Sequence, residues 1–140
     1  MSQACWQAAA DGRYHIEVVI GNYTLAVMVD SGLVDPLDLI GFDLEPSIYD
    51  RLNQSGFLTQ ERSRQFRSAS GHYATAFSGL TNARLVDPKI HQPVGPVVQL
   101  FASRGQRALP NRVGVVFFHR LRGCRVLWDL DSRIWCVEYP

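Results

Sequence analysis

The chain has 140 residues, 46% of them hydrophobic and 19% charged, and its formal net charge is +1 at pH 7. This length suits one domain with a substantial core, and the near balance of charges argues against a nucleic-acid partner. The three cysteines share no close spacing and the four histidines are scattered, so the composition favours reduced thiols and predicts no metal site.

The N-terminal stretch lacks a basic start followed by an apolar run, so it does not have the pattern of a secretory signal. The apolar runs are too short to cross a bilayer. We therefore expect a cytoplasmic protein with no membrane partner.

The first third of the chain predicts a hairpin. Residues 1–12 have the composition of a loose lead-in, and the alternation from Tyr14 to Ile20 predicts a half-buried strand. Gly21-Asn22 predicts a turn into a second strand, Tyr23 to Val29, which is apolar on both faces and ends at Asp30-Ser31-Gly32.

The middle of the chain alternates between loops and short elements. Residues 33–41 predict a loop and a short strand, and Glu45 to Leu52 predicts a short helix with proline in its first turn. Arg64 to Phe77 predicts a hairpin with a small, glycine-bearing tip that stands away from the core. Two further strands are predicted over 80–86 and 94–102.

The last third carries a second apolar stretch. Val113 to Phe118 predicts a strand, and His119 to Arg122 predicts a short helix that ends at Gly123. Cys124 to Asp129 and Arg133 to Glu138 predict two strands that form a hairpin.

An acid at the end of a buried strand has two explanations. The side chain of Asp30 either caps a tight turn, as the Asx residues often do, or it is placed there for chemistry. Burying a carboxylate at the end of a sheet is costly, so the position needs a reason. The residues alone leave both explanations open.

Taken together, the ordered features resemble the retropepsin-like aspartic proteases. The resemblance rests on the strand into Asp30-Ser31-Gly32, the flap-like hairpin near Gly71, the apolar stretch that meets Gly114 before a short helix, and the closing segment Gly123-Cys124-Arg125-Val126-Leu127. It implies a mainly β fold: a closed acid-protease-like barrel of a single lobe over residues 13–140, with one or two short helices and a C-terminal β-hairpin.

The resemblance implies an aspartic endopeptidase that needs no metal and no cofactor. Because the chain holds one Asp-Ser-Gly, the second carboxylate would come from another copy, so a homodimer acting on a protein or peptide substrate is expected. Asp30 would activate the water, Ser31 would hold the two carboxylates coplanar, and Gly32 would let the main chain approach the substrate. The substrate would contact Leu33, Ser70, Gly71, His72, Val113, Gly114 and Val115.

Three departures from the family pattern leave room for other functions. Leu33 stands where alanine is common, Gly114-Val115-Val116 replaces Gly-Arg-Asp/Asn, and Val34 replaces the acid that would pair with that arginine. Leu33 and the missing arginine favour an inactive dimerisation or peptide-binding module, whereas the retained Asp30 and Ser31 argue against it. An unrelated small β-barrel is the third alternative.

Overall fold

The computed structural model describes residues 1–35, 37–67, 73–106 and 109–140, with side chains except at 64–67 and 73–75. The strands and helices are β1 Ser2–Gln7, β2 His15–Ile20, β3 Tyr23–Val29, β4 Ile40–Leu44, α1 Pro46–Gln54, β5 Thr59–Arg67, β6 Tyr73–Asp87, β7 Gln92–Arg104, β8 Arg112–Val113, α2 Val115–His119, β9 Arg125–Asp129 and β10 Ile134–Tyr139. No described helix has the length and apolar character needed to span a membrane.

Two sheets make up most of the molecule. The larger has seven strands in the order β2-β3-β8-β4-β7-β6-β5, and an additional β2–β6 pairing closes it on itself. The smaller has the order β1-β10-β9. The mainly β fold with two short helices is therefore confirmed, although the separate smaller sheet means that the strands do not form one clean barrel.

The β2–β3 hairpin follows the predicted pattern closely. Ile16, Val18 and Ile20 are fully buried, as the alternation requires, and the turn contains Gly21 at a φ of +60°. One expectation is wrong: Ala26 is exposed, so β3 is not buried on both faces. Within the described part of the chain Ala26 faces water, and a small side chain loses little by doing so.

Helix α1 confirms the predicted short helix after β4. Pro46 stands in its first turn, where the missing N–H costs nothing, and Tyr49 and Leu52 are buried. The predicted hairpin is also present as antiparallel β5 and β6. Its tip, residues 68–72, lies outside the described residues.

The second helix lies earlier than its pattern predicted. Val115–His119 is helical, whereas the sequence predicted a strand there and a helix over 119–122. The β-branched start of this segment favours a strand only weakly, and burial of Val116 and Phe117 overrides that preference. Phe117 packs on Phe42 of β4, with ring centroids 5.5 Å apart.

The N-terminus is also more ordered than a lead-in. Ser2–Gln7 forms β1, which pairs antiparallel with β10, and Ala4 and Trp6 are buried. Cys5 and Cys136 lie opposite each other and form a disulfide. The expectation of three reduced thiols is therefore wrong for this pair, because contact between the two ends of the chain has no local signature. Cys124 stays free.

Candidate active site

Asp30 lies at the end of β3 in a turn that its own side chain stabilises. Its Oδ1 accepts a hydrogen bond from the Gly32 N–H at 2.9 Å, and its carbonyl accepts one from the Leu33 N–H at 3.1 Å. The Asp30 N–H donates to the carbonyl oxygen of Val113 at 2.9 Å, which attaches the turn to β8. The turn-cap interpretation of Asp30 is thus realised, and the other carboxylate oxygen remains available for a different partner.

Arg112 binds that second oxygen. Its Nη1 donates to Asp30 Oδ2 at 3.0 Å, and its Nη2 donates to Oδ2 of Asp43. The Ser103 hydroxyl donates to Asp43 Oδ1 at 2.9 Å. Asp43 has only 11% of its side chain exposed and Asp30 has 27%. One guanidinium therefore joins a half-buried acid at the surface to a nearly buried acid behind it.

The guanidinium of Arg112 is positively charged in this site. Burial works to lower the pKa of its guanidinium, but the hydrogen bonds and charges of Asp43, and then of Asp30, outweigh burial and raise the pKa above its ordinary value. Arg112 therefore stays positive and compensates both carboxylates in the single chain.

An apolar cavity of about 340 Å³ opens beside Asp30. Its lining is formed by Gly12, Arg13, Tyr14, Val29, Asp30, Ser31, Gly114, Val115, Phe118, Trp128 and Trp135. The indole N–H of Trp128 donates to the Tyr14 hydroxyl at 2.9 Å, and Phe118 stacks edge-on against Trp135 with ring centroids 4.8 Å apart. A space of this size with aromatic walls suits an apolar side chain.

Gly114 permits the close approach of α2 to the Asp30 turn. A Cβ at this position would collide with the carbonyl oxygen and side chain of Leu33. The Gly114 N–H donates to the Gly41 carbonyl at 2.8 Å. Close packing thus accounts for this glycine, and it also brings the start of α2 to the edge of the cavity.

The structure brings together part of the predicted site. Asp30, Ser31, Gly114 and Val115 line one cavity. Gly32 binds the Asp30 carboxylate through its amide, and Leu33 is half-buried against Gly114.

Val113, another member of the predicted site, does not line the cavity. Val113 is fully buried, so its side chain offers no surface to a ligand. Its carbonyl oxygen accepts the hydrogen bond from the Asp30 N–H. Ser70, Gly71 and His72 lie outside the described residues. Their contact with a substrate remains a prediction.

The sequence did not indicate Arg112 or Asp43 as site residues, nor the aromatic side chains that line the cavity, which are Tyr14, Phe118, Trp128 and Trp135. No arginine directly follows Gly114, whereas Arg112 precedes that glycine by two positions. A charged residue inside an apolar stretch, as Asp43 is between Phe42 and Leu44, was the available signal, since buried charges need partners. In the part of the chain that the structure describes, no cluster of His, Cys, Asp and Glu could hold a metal ion.

The chain is similar in structure to a crystal structure of a retropepsin-like aspartic protease from Rickettsia conorii. The TM-score is 0.63 and the sequence identity is 17%, over 99% of this chain and 91% of that chain. No protein-family model matches the chain, and no curated protein does. The similarity shows that the chain has the retropepsin-like fold.

Proposed function

We propose that this chain, which has the retropepsin-like fold, is an aspartic endopeptidase that works as a homodimer. The observation that carries the proposal is the position of Asp30: a half-buried carboxylate at the end of β3 and at the mouth of an apolar cavity. A carboxylate in such a place can bind water while the cavity holds an apolar side chain.

Peptide hydrolysis by this route needs two carboxylates that share one proton. Like charges at contact distance cannot both ionise, so one carboxyl remains protonated and polarises the scissile carbonyl. The ionised carboxylate takes a proton from the water, whose oxygen attacks the carbonyl carbon. The C–N bond of the tetrahedral intermediate then breaks as its nitrogen takes the proton that the carboxylate removed from the water, and no covalent enzyme intermediate forms.

The second carboxylate is proposed to be Asp30 of a second copy. Asp43, which shares Arg112 with Asp30, has both of its oxygens held by Arg112 and Ser103. When the second Asp30 arrives, it takes the place of Arg112 at Oδ2. Arg112 then keeps Asp43 as its partner, so its charge is not left uncompensated. Ser31 is proposed to hold the two carboxylates coplanar.

The substrate is proposed to be an extended peptide with hydrophobic residues on either side of the cleaved bond. Val115 and Leu33 are half-buried and can contact such side chains, whereas Val113 is excluded by its full burial. The hairpin tip, Ser70-Gly71-His72, is proposed to close over the peptide by strand-like hydrogen bonds.

A non-catalytic peptide-binding or dimerisation module is the second candidate. The ion pair between Arg112 and Asp30 favours it, because a guanidinium occupies the oxygen that a catalytic pair needs. The cavity beside Asp30 would then serve binding alone.

Cleavage of a peptide library from mildly acidic to neutral pH tests the proposal. We expect hydrolysis by the parent chain and a loss of at least about a hundredfold in Asp30→Asn, because general acid–base catalysis contributes that much or more. Asp38→Asn is the matched control: Asp38 is exposed, and its φ of 56° suits asparagine.

Hydrolysis that survives in Asp30→Asn would rule out the carboxylate pair. Peptide binding by the parent chain without cleavage at any pH would favour the second candidate.

A cytoplasmic location remains a prediction. The Cys5–Cys136 disulfide weighs against it, because such bonds persist mainly in oxidising compartments.

A further inference from the structure

Strand β9 is an open edge of the smaller sheet. Among the described residues it pairs with β10 on one side and with no strand on the other. Val126 is 42% exposed and Trp128 is 62% exposed. Unpaired edges that carry large apolar side chains are prone to pair with another strand, and natural proteins usually protect them.

The two exposed side chains lie on the face of the sheet that packs on the core. Val126 is opposite Val137 and Trp128 is opposite Trp135, and both of these partners are buried. Side chains of directly opposed residues lie on the same face of a sheet. The core-facing surface therefore continues onto β9, where Val126 and Trp128 keep a large exposed fraction although Trp128 also contacts Tyr14.

The main chain of β9 also has N–H and C=O groups that can form hydrogen bonds at this edge. Cys5 and Cys136 have their Cα atoms 4.1 Å apart, a spacing that marks a non-hydrogen-bonded pair. The N–H and C=O of Cys136 therefore point away from β1 and toward Leu127 of β9. The N–H and C=O of Leu127 point back toward Cys136. Because the main-chain groups of successive strand residues point to opposite sides, the N–H and C=O groups of Val126 and Trp128 point to the open edge.

Of the two edges of this sheet, β9 is the one beside the candidate active site. Trp128 lines the same cavity as Asp30. The opposite edge, β1, lies toward β6, where Tyr139 of β10 donates a hydrogen bond to Asp87 at 2.7 Å. A second copy that brings its Asp30 to this site also brings its β9.

We infer that β9 pairs antiparallel with β9 of a second copy about a two-fold axis at Leu127, which joins the two smaller sheets. In this register Val126 lies opposite Trp128 of the partner subunit, and the two exchange main-chain hydrogen bonds. Arg125 lies opposite Asp129 of the partner subunit. The inference rests on the proposed function, since it states how the two copies that supply the carboxylates associate.

The charges at the two ends of β9 are self-complementary. Arg125 has 69% of its side chain exposed, and its distance of 4.0 Å to Glu138 leaves it able to turn to a partner. Hydrogen bonds from the Ser132 side chain and then its amide hold the pKa of Asp129 below its ordinary value, so Asp129 stays negative. An isologous interface pairs a positive end with a negative end twice.

Charge reversal at each end of β9 tests the inference. Arg125→Glu places two acids opposite each other, and Asp129→Lys places two bases opposite each other, so each variant alone should associate about tenfold more weakly or worse. A 1:1 mixture restores both attractive pairs and should associate as tightly as the parent. Sedimentation or light scattering over a concentration series measures the association.

Two further variants distinguish a loss of association caused by charge repulsion from one caused by a disturbed fold. Arg51→Glu, on the exposed surface of α1, is the control and should associate as the parent does. Asp129 accepts hydrogen bonds from the amides of Asp131 and Ser132, so lysine there can disturb the turn. Arg125→Glu combined with Asp129→Asn keeps the turn, removes the repulsion and should recover most of the association lost in Arg125→Glu.

Unchanged association in Arg125→Glu, a mixture no better than its components, or a parent that stays monomeric would each overturn the inference. Peptide hydrolysis by each variant is measured separately from association. An active dimer insensitive to Arg125→Glu would refute the β9 interface alone, and a dimer that depends on β9 but cleaves no peptide would refute the proposed activity alone.

Discussion

At the scale of single residues, Arg112 decides the electrostatics of the site. It is bonded to Asp30 and Asp43, which lie 82 and 69 residues away along the chain. Burying opposite charges is costly, but breaking such a group by removing one member costs more, because the remaining charge is left without a partner. Arg112 therefore bears on stability as well as on the availability of Asp30.

Arg112→Met is expected to lower the free energy of unfolding by about 3 kcal/mol, because Asp43, with only 11% of its side chain exposed, would lose its cationic partner. Urea denaturation measures the change. Arg104→Met is the matched control, since Arg104 pairs with Asp50 at the surface and should cost no more than about 1 kcal/mol.

A double variant makes this test specific. Asp43→Asn combined with Arg112→Met should cost less than the sum of the two single changes, because the pair is already broken by either one. Equal effects of Arg112→Met and Arg104→Met would contradict the account.

At the scale of elements, β10 connects the two sheets. It lies between β1 and β9, and its last residue, Tyr139, donates a hydrogen bond to Asp87 at the end of β6. Asp87 is only 4% exposed, so its carboxylate depends on this hydroxyl and on the Lys89 amide. Such a bond holds the smaller sheet against the larger one.

Tyr139→Phe is expected to lower the free energy of unfolding by about 1–3 kcal/mol, the usual cost of leaving a buried acceptor without its donor. The hydrogen bond to Asp87 raises the pKa of Tyr139 in the folded chain. A raised pKa means that the contribution is complete below the ordinary tyrosine pKa of about 10 and is lost as the pH rises above it.

The difference between the parent and Tyr139→Phe should therefore be constant from neutral pH to about pH 9 and shrink above pH 10. Tyr23→Phe is the control, because the Tyr23 hydroxyl has only a 3.4 Å contact with Ser55. A Tyr139→Phe variant as stable as Tyr23→Phe at neutral pH would refute the role given to this bond.

At the scale of the whole molecule, the two ends of the chain are joined. Cys5 and Cys136 are 131 residues apart in sequence and form a disulfide between β1 and β10. A bond that closes so long a loop restricts the unfolded chain strongly. The smaller sheet therefore keeps its N-terminal strand through a covalent link as well as through hydrogen bonds.

Cys5→Ser is expected to lower the free energy of unfolding by about 3–5 kcal/mol, and a reductant should do the same to the parent. Cys124→Ser is the control, since this half-buried thiol takes part in no disulfide. Alkylation of the native parent followed by mass measurement should find one free thiol. Three free thiols in unreduced protein would contradict the bond.

Local patterns were sufficient for much of the fold. Alternating apolar residues predicted β2, apolar runs next to turn residues predicted β3 and the β9–β10 hairpin, and Pro46 with its apolar partners predicted α1, because these patterns are properties of neighbouring residues. The position of α2 was wrong, since burial of Phe117 against another element outweighs a weak local preference.

The amino-acid sequence by itself determined that an acid, Asp30, would end an apolar strand, and the resemblance to the retropepsin-like aspartic proteases then indicated Asp30 as the candidate catalytic group. Only the tertiary structure decided that Arg112 holds this carboxylate, that Cys5 meets Cys136, and that Trp128 keeps a large exposed fraction beside the cavity. Periodicity acts over a few residues, whereas ion pairs, disulfides and edge exposure depend on which distant segments the folded chain brings together.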